Sequence, residues 1–221
     1  MMVDNESYTI NKDKEMDNCT DNTIVLSSFY FAPIEYYSRA FEADRVVLEV
    51  NDNFQKQTYR NRCNILGANG VMQLNIPIEK SPTKKCAMKD VRISDHGNWQ
   101  HLHWNAIVSA YNSSPFFEYY KDDFRPFFEK KIDFLHDLNE EFRRLIFRLL
   151  YIDKSVEYSD EYLKNIPKGC VDLRNEIHPK KESTFTTKPY WQVFSDKYGF
   201  VPNLSIIDLL FNMGNEARLY L

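Results

Sequence analysis

A chain of 221 residues, 43 % apolar and 27 % charged, has the make-up of a globular protein about one domain long. Its formal net charge of −4 and pI of about 5.8 lack the basic excess that phosphate-backbone binding needs, so no nucleic-acid partner is expected. Its 6 glycines are too few for a glycine-rich phosphate loop, and no apolar run approaches the ~20 residues of a membrane span.

Residues 1–22 are polar and without periodicity, and are expected to form a disordered tail ahead of a single α/β domain over 23–221. Thr23 to Phe31 is a β-rich run ended by Ala32-Pro33, and Ile34 to Ala43 carries apolar residues at helical spacing. Arg45 to Val50 is a second strand, so the domain opens with a β-α-β unit, whose strands are normally parallel. Thr58 to Leu66 and Val71 to Pro77 are strands joined through Gly67-Ala-Asn69-Gly70, an Asn-Gly hairpin signal in a slightly longer loop. Ser81 to Lys85 is a basic loop and Asp90 to Ser94 a short strand.

Helices follow. Asn98 is the expected cap of Trp99 to Tyr111, with Trp104, Ile107, Val108 and Tyr111 as its apolar stripe. Ser114-Pro115 starts a second helix that stops or kinks at Arg125-Pro126. Leu135, Leu138, Phe142, Leu145 and Leu149 define a third, with Glu140 and Arg144 on its outer side. Val171 to Ile177 reads as a strand. Ser205 to Asp208 forms a capping box for a helix that Gly214 stops.

Cys19, Cys63, Cys86 and Cys170 contain no C-x-x-C pair, so no zinc site is expected. The N-terminus has no basic segment followed by an apolar run, so the expectation is a cytoplasmic protein with free thiols. His101 and His103 lie roughly 200° apart around a helix and cannot share a metal. His103, beside the apolar stripe, is the candidate acid or base; a half-buried histidine with a backbone partner is the plainer reading. In a strand over Lys56 to Cys63, Arg60 and Arg62 would share a face, with Asn61 opposite; they suit an anion or, equally, a solvated face or salt bridges to Glu49 and Asp52. Likewise Asp172, Arg174, Glu176 and His178 would share a face of a later strand, where they could orient and protonate a polar substrate. The rings of Phe29, Tyr30, Phe31, Tyr36 and Tyr37 could stack a sugar, although core packing is the commoner use.

The segments Tyr30-Phe-Ala-Pro-Ile-Glu-Tyr-Tyr37, Tyr59-Arg-Asn-Arg-Cys63, Asp90-Val-Arg-Ile-Ser94, His103-Trp104, Ser114-Pro-Phe-Phe-Glu-Tyr-Tyr120 and Phe200-Val-Pro-Asn-Leu-Ser205 occur in one order. Together they resemble the WbqC-like family of bacterial proteins over about Val25 to Leu221. The resemblance implies a role in O-antigen or other surface-polysaccharide biosynthesis. It suggests transferase activity, such as transfer of an aminoacyl group (glycine, for example) or work on a glycosyl-linked intermediate. Asn61, Arg62, His103, Asp172, Arg174 and His178 fall on the family pattern; Glu176 and His101 do not. Many members carry Gln-Pro where this chain has Ser27-Ser28. The opening also resembles that of Rossmann-like nucleotidyltransferases but lacks their His-x-Gly-His signature, which supports topology and not nucleotide chemistry.

The expectation is therefore one α/β domain with a mixed sheet flanked by helices, acting as a cytoplasmic transferase on a small-molecule or sugar-linked substrate. His103 and His178 are the candidate acid/base residues, with Asp172 orienting. Asn61, Arg62, Arg174 and Tyr30 are the candidate substrate-binding residues. No residue pattern names a cofactor. The rival reading is a non-catalytic scaffold or partner in a polysaccharide-synthesis complex; a third, metal-dependent hydrolysis, requires His103, His178 and a carboxylate to converge.

Overall fold

A computed structural model describes residues 22–80 and 85–221; the polar tail and most of the basic loop expected from the sequence lie outside them. The opening β-α-β unit forms as expected. Strand β1 (Thr23–Ser27) leads through helix α1 (Ile34–Glu42) to β2 (Arg45–Glu49), and the strands pair in parallel from Thr23↔Arg45 to Ser27↔Glu49. Both strands are almost wholly buried, the signature of a parallel sheet covered on two faces. The hairpin also forms: β3 (Arg62–Gly67) and β4 (Gly70–Asn75) pair antiparallel as a separate two-stranded sheet. Its connection is Ala68-Asn69 alone, tighter than the sequence suggested, with Gly70 at φ 101 closing the turn.

Helices α2 (Trp99–Tyr111), α3 (Phe117–Phe124), the short α4 (Pro126–Glu129) and α5 (Leu135–Leu149) follow. The break at Arg125-Pro126 is the expected one. The α5 stripe buries Leu135, Leu138, Phe142, Leu145 and Ile146, each contributing roughly 1.5–3 kcal/mol of transfer free energy. Phe142 stacks on Phe31, Phe127 and Phe128, so the aromatic set from the chain's start is mostly core. Two three-residue strands complete the sheet, β5 (Val156–Tyr158) and β6 (Cys170–Asp172), giving the all-parallel order β5-β2-β1-β6. One-turn α6 (Ser195–Tyr198) and α7 (Ile206–Met213) close the chain with a 3₁₀ turn over Gly214–Tyr220. Gly214 (φ 57) lies under the Phe116 ring, where a Cβ would fall 2.5 Å from ring carbon, so only glycine fits that helix stop.

Several local expectations are corrected. Residues 56–61 form turns, not a strand. Gln57 is left-handed (φ 62) and the Thr58 hydroxyl donates to the Gln55 carbonyl, which turns Arg60 inward, away from Arg62. Asp90–Ser94 is a 3₁₀ turn and isolated bridges. The later strand ends at Asp172, so Asp172, Arg174, Glu176 and His178 do not share a strand face. Asn98 (φ 48) and Ser205 make no side-chain cap; Ser205 donates to the Phe31 carbonyl and Ser114 to the Tyr111 carbonyl. Glu140 is buried and pairs with Arg143, not outward with Arg144. Cys63 and Cys86 are free thiols, whereas Cys170 is disulfide-bonded.

Candidate functional site

In the parallel sheet the chain runs from β1 to β2 and β5 on one side, then returns to β6 on the other. Such a reversal, here between β1 and β6, is where ligands of open α/β sheets bind, beyond the carboxyl ends of the strands. The residues leaving those strand ends are polar: Ser27 and Ser28 after the apolar run of β1, Glu49 at the end of β2, Asp172 and Arg174 beyond β6.

The turn at 51–61 folds over this edge. Arg60, 1 % exposed, donates through Nη2 to Asp52 Oδ2 (2.5 Å) and Ser27 Oγ (3.0 Å), and Ser27 donates to the same carboxylate oxygen (3.1 Å). From α5, Asn139 Nδ2 donates to the Arg60 carbonyl (2.9 Å) and to Ser28 Oγ (3.3 Å). The Ser28 hydroxyl is left to donate to His136 Nδ1 at 3.2 Å. Burial lowers the pKa of His136, so its ring is neutral near pH 7 and can accept that proton.

Seven buried side-chain polar atoms have no partner among the described residues. Four belong to this turn and the residue that follows it (Asp52 Oδ1, Arg60 Nε, Asn61 Oδ1, Arg62 Nε), and a fifth is Asn139 Oδ1 beside it. Buried polar atoms without partners are rare in folded proteins, so this segment concentrates unspent hydrogen-bonding capacity. The set mixes acceptors (Asp52 Oδ1, Asn61 Oδ1, Asn139 Oδ1) with N–H donors (Arg60 Nε, Arg62 Nε).

The sequence-predicted residues fall into three groups. Asp172 and Arg174 form a two-pronged ion pair (2.9 and 2.7 Å), and Arg174 reaches the fully buried Glu49 at 3.4 Å. Glu49 also accepts from the Ser159 hydroxyl and the Asn51 and Leu163 amides, so this group ties the ends of β2, β5 and β6 together. The Asp172 bond raises the Arg174 pKa. Burial acts to raise that of Asp172, but the hydrogen bonds from Arg174 outweigh it and hold the carboxyl below its ordinary range. Asp172 thus engages an arginine and orients no histidine.

His103 and Tyr30 form the second group, both buried, with Tyr30 OH 3.0 Å from His103 Nδ1 and the Trp99 ring edge-on to the imidazole. Burial drives the His103 pKa down to about 4 against a weaker upward effect of its hydrogen bond to the Asn75 backbone. Burial likewise lifts the Tyr30 phenol well above its usual value, so both groups are uncharged near pH 7.

Asn61, Arg62 and His178 make the third. Asn61 Nδ2 donates to the Ile76 carbonyl (2.8 Å) and Arg62 Nη1 to the Gln73 amide oxygen (3.0 Å). His178 Nδ1 accepts the Lys180 backbone N–H (3.0 Å). Its pKa is lowered by burial and then by Lys181, Lys180, Arg60 and Arg62, which places it in the field of the Arg60–Arg62 segment. Among the described residues no hydrogen bond or ion pair joins Arg62, His103 and Arg174 to one another, and no three His, Cys, Asp or Glu side chains converge as metal ligands. His103 and His178 therefore do not meet a carboxylate as the hydrolytic reading required.

Sequence reading missed Ser28, His136 and Asn139; Asp52 was expected only as a salt-bridge partner of the Arg60–Arg62 pair, and it is one for Arg60. A signal for two of them was present: His136, Asn139, Glu140 and Arg143 recur at i, i+3, i+4 and i+7 on α5, a polar stripe beside the apolar one. On the outer helices, a groove of about 380 Å³ is lined by Asp123, Phe127, Lys130, Glu141, Arg144 and Arg148 among others. Of its cations, Lys130 and Arg148 are matched by Glu141 and Asp123, and Arg144 donates to the Tyr158 hydroxyl.

Comparison with known proteins bears on this arrangement. An uncharacterised protein of Mycobacterium tuberculosis is 23 % identical over 225 residues, covering 89 % of this chain and 96 % of the relative. No solved structure matches. The model of the WbqC-like protein family matches residues 28–181, a span that includes the Ser28, Asp52, Arg60, His136 and Asn139 cluster. The chain belongs to the WbqC-like protein family.

Proposed function

We propose that this protein is a transferase acting on an activated sugar or sugar-linked intermediate in bacterial surface-polysaccharide synthesis, O-antigen included. The observation that carries the reading is the concentration of unpartnered buried polar atoms in and beside the 51–62 segment, which packs through Asp52 and Arg60 on the carboxyl end of β1. The spare acceptors Asp52 Oδ1, Asn61 Oδ1 and Asn139 Oδ1, enclosed in this structure, reach ligand hydroxyl or amide groups once the 51–61 turn moves aside. Arg62 holds an anionic part of the donor. The Ser28–His136 pair receives the proton of the attacking acceptor group, and the donor's leaving group departs as an anion toward Arg62. His103, Tyr30, Asp172 and Arg174 act as positioning residues: the first two fix α2 against the segment after β1, the last two fix the end of β6.

The test is complementation of a polysaccharide-producing strain that lacks the gene. Arg62→Ala and His136→Asn, each shown by circular dichroism to fold, are expected to leave the polysaccharide unmodified, read as a mass change in the purified repeat unit. Normal polysaccharide in both strains overturns the transferase reading and favours the non-catalytic scaffold.

A further inference from the structure

The cations around the carboxyl edge divide by what they touch. Arg60 is matched by Asp52 (2.5 Å), Arg174 by Asp172 (2.7 Å) and Lys181 by Glu176 (2.9 Å). Arg62 and Lys180 have no carboxylate within ion-pair distance among the described residues. Each donates instead to a neutral amide oxygen, that of Gln73 and that of Gln57. The contacts Gln55–Asn175 (3.0 Å) and Lys180–Gln57 hold the 175–180 loop along the 55–57 turn, which brings Lys180 and His178 beside the segment that carries Arg60 and Arg62. A half-buried guanidinium with no counter-ion and an unpartnered Nε is unusual in a chain of net charge −4.

We propose that Arg62, Lys180 and His178 form a subsite for a doubly charged phosphoryl group, either a phosphate monoester or the diphosphate of an activated sugar. The assignment rests on reading the carboxyl edge as a substrate site, and it names the chemistry of that substrate's anionic part. The charges set the class. Arg60, Arg174 and Lys181 are already neutralised, so Arg62 and Lys180 supply two uncompensated positive charges, which a dianion matches and a single carboxylate does not. The shapes agree: a guanidinium spans two oxygens of a tetrahedral group, while an ammonium adds a point charge at a third. His178 contributes without adding charge. Because its Nδ1 accepts the Lys180 amide, the neutral ring carries its proton on Nε2, a donor for a phosphoryl oxygen.

Isothermal titration of the full chain with inorganic pyrophosphate, and separately with acetate, tests this. Pyrophosphate should bind with an affinity that falls as salt is added, and acetate should not. Arg62→Gln and Lys180→Gln should each weaken pyrophosphate about tenfold or more, the loss expected for a charge-assisted hydrogen bond. Arg148→Gln, in the outer groove, should leave it unchanged. Bound pyrophosphate should also raise the pKa of the His178 ring, followed through its C2 proton by NMR, because the anion offsets the cations that depress it. Absence of pyrophosphate binding, or equal weakening by Arg148→Gln, overturns the subsite. The complementation assay separates the two claims. Loss of modification in the Arg62→Ala strain without pyrophosphate binding keeps the site and discards the ligand class. Pyrophosphate binding with normal polysaccharide keeps the subsite and discards the transferase.

Discussion

Two buried polar centres in this protein solve the same problem in opposite ways. At the carboxyl edge of the parallel sheet, Arg60 and Arg174 are buried as charges, each against a carboxylate: Asp52 for the first, Asp172 and Glu49 for the second. At the Tyr30–His103 contact, where α2 meets the segment after β1, the buried polar groups are neutral and satisfied by a single 3.0 Å contact and a backbone hydrogen bond. A matched charge pair is costly to break and adapts to a charged ligand through its rim. A neutral pair is cheap to keep and brings no charge to an anion. The contrast separates the sequence candidates: Tyr30 and His103 make the neutral centre, and Asp172 and Arg174 belong to the charged one.

The largest expected effect comes from halving the charged centre. Asp52→Ala strands the Arg60 guanidinium, 1 % exposed, without a counter-charge, and should cost about 3–5 kcal/mol in urea unfolding. The double variant Asp52→Leu with Arg60→Met should recover most of that loss, since replacing a buried pair by apolar groups is often close to neutral. A single variant within about 1 kcal/mol of the parent would erase the distinction between the two centres.

The neutral centre should fail with pH instead. His103 has an ordinary imidazole pKa in the unfolded chain and about 4 in the folded one. Its contribution is therefore complete above about pH 6.5 and lost as pH falls toward 4, amounting to about 3 kcal/mol. His103→Gln should flatten the stability profile across that window while leaving the region below it, where Asp172 gains its proton, unchanged. An unaltered slope between pH 6.5 and 4 would place the acid sensitivity elsewhere, with His136 and His178 as the next groups to replace.

How far each centre could be read in advance follows from chain separation. The β-α-β opening, the hairpin and α5 were legible because apolar periodicity and turn residues act within ten or fifteen positions. His103 at the margin of an apolar stripe was legible for the same reason. Of the charged centre only the Arg60–Asp52 pair, 8 positions apart, was legible; Ser28 and Asn139 are 111 positions apart and Glu49 and Arg174 are 125 apart, and no short motif spans them. Alternation also misled. Arg60 and Arg62 looked like one strand face because the left-handed turn at Gln57 leaves no trace in a pattern of polar residues. The three-residue strands β5 and β6 are too short for period-two alternation to register, so the switch point became visible only once they paired.

The smallest effect is the most informative about what makes the charged centre matter. Arg125 and Glu129 sit one turn apart at the junction of α3 and α4 and meet at 2.6 Å, nearly the separation of Arg60 and Asp52. If contact distance governed stability, the two pairs would be worth about the same. Both surface side chains are 58 % exposed, however, so water already solvates each charge and the pair adds only screened attraction less the entropy of holding two long side chains. Glu129→Gln should therefore cost about 0.3–0.5 kcal/mol, roughly a tenth of the Asp52→Ala loss, and the cost should shrink further in 1 M salt. Equal losses from the two substitutions would mean that geometry, not burial, sets the strength of these pairs. The unpaired Arg62 would then cease to be an anomaly in need of a ligand.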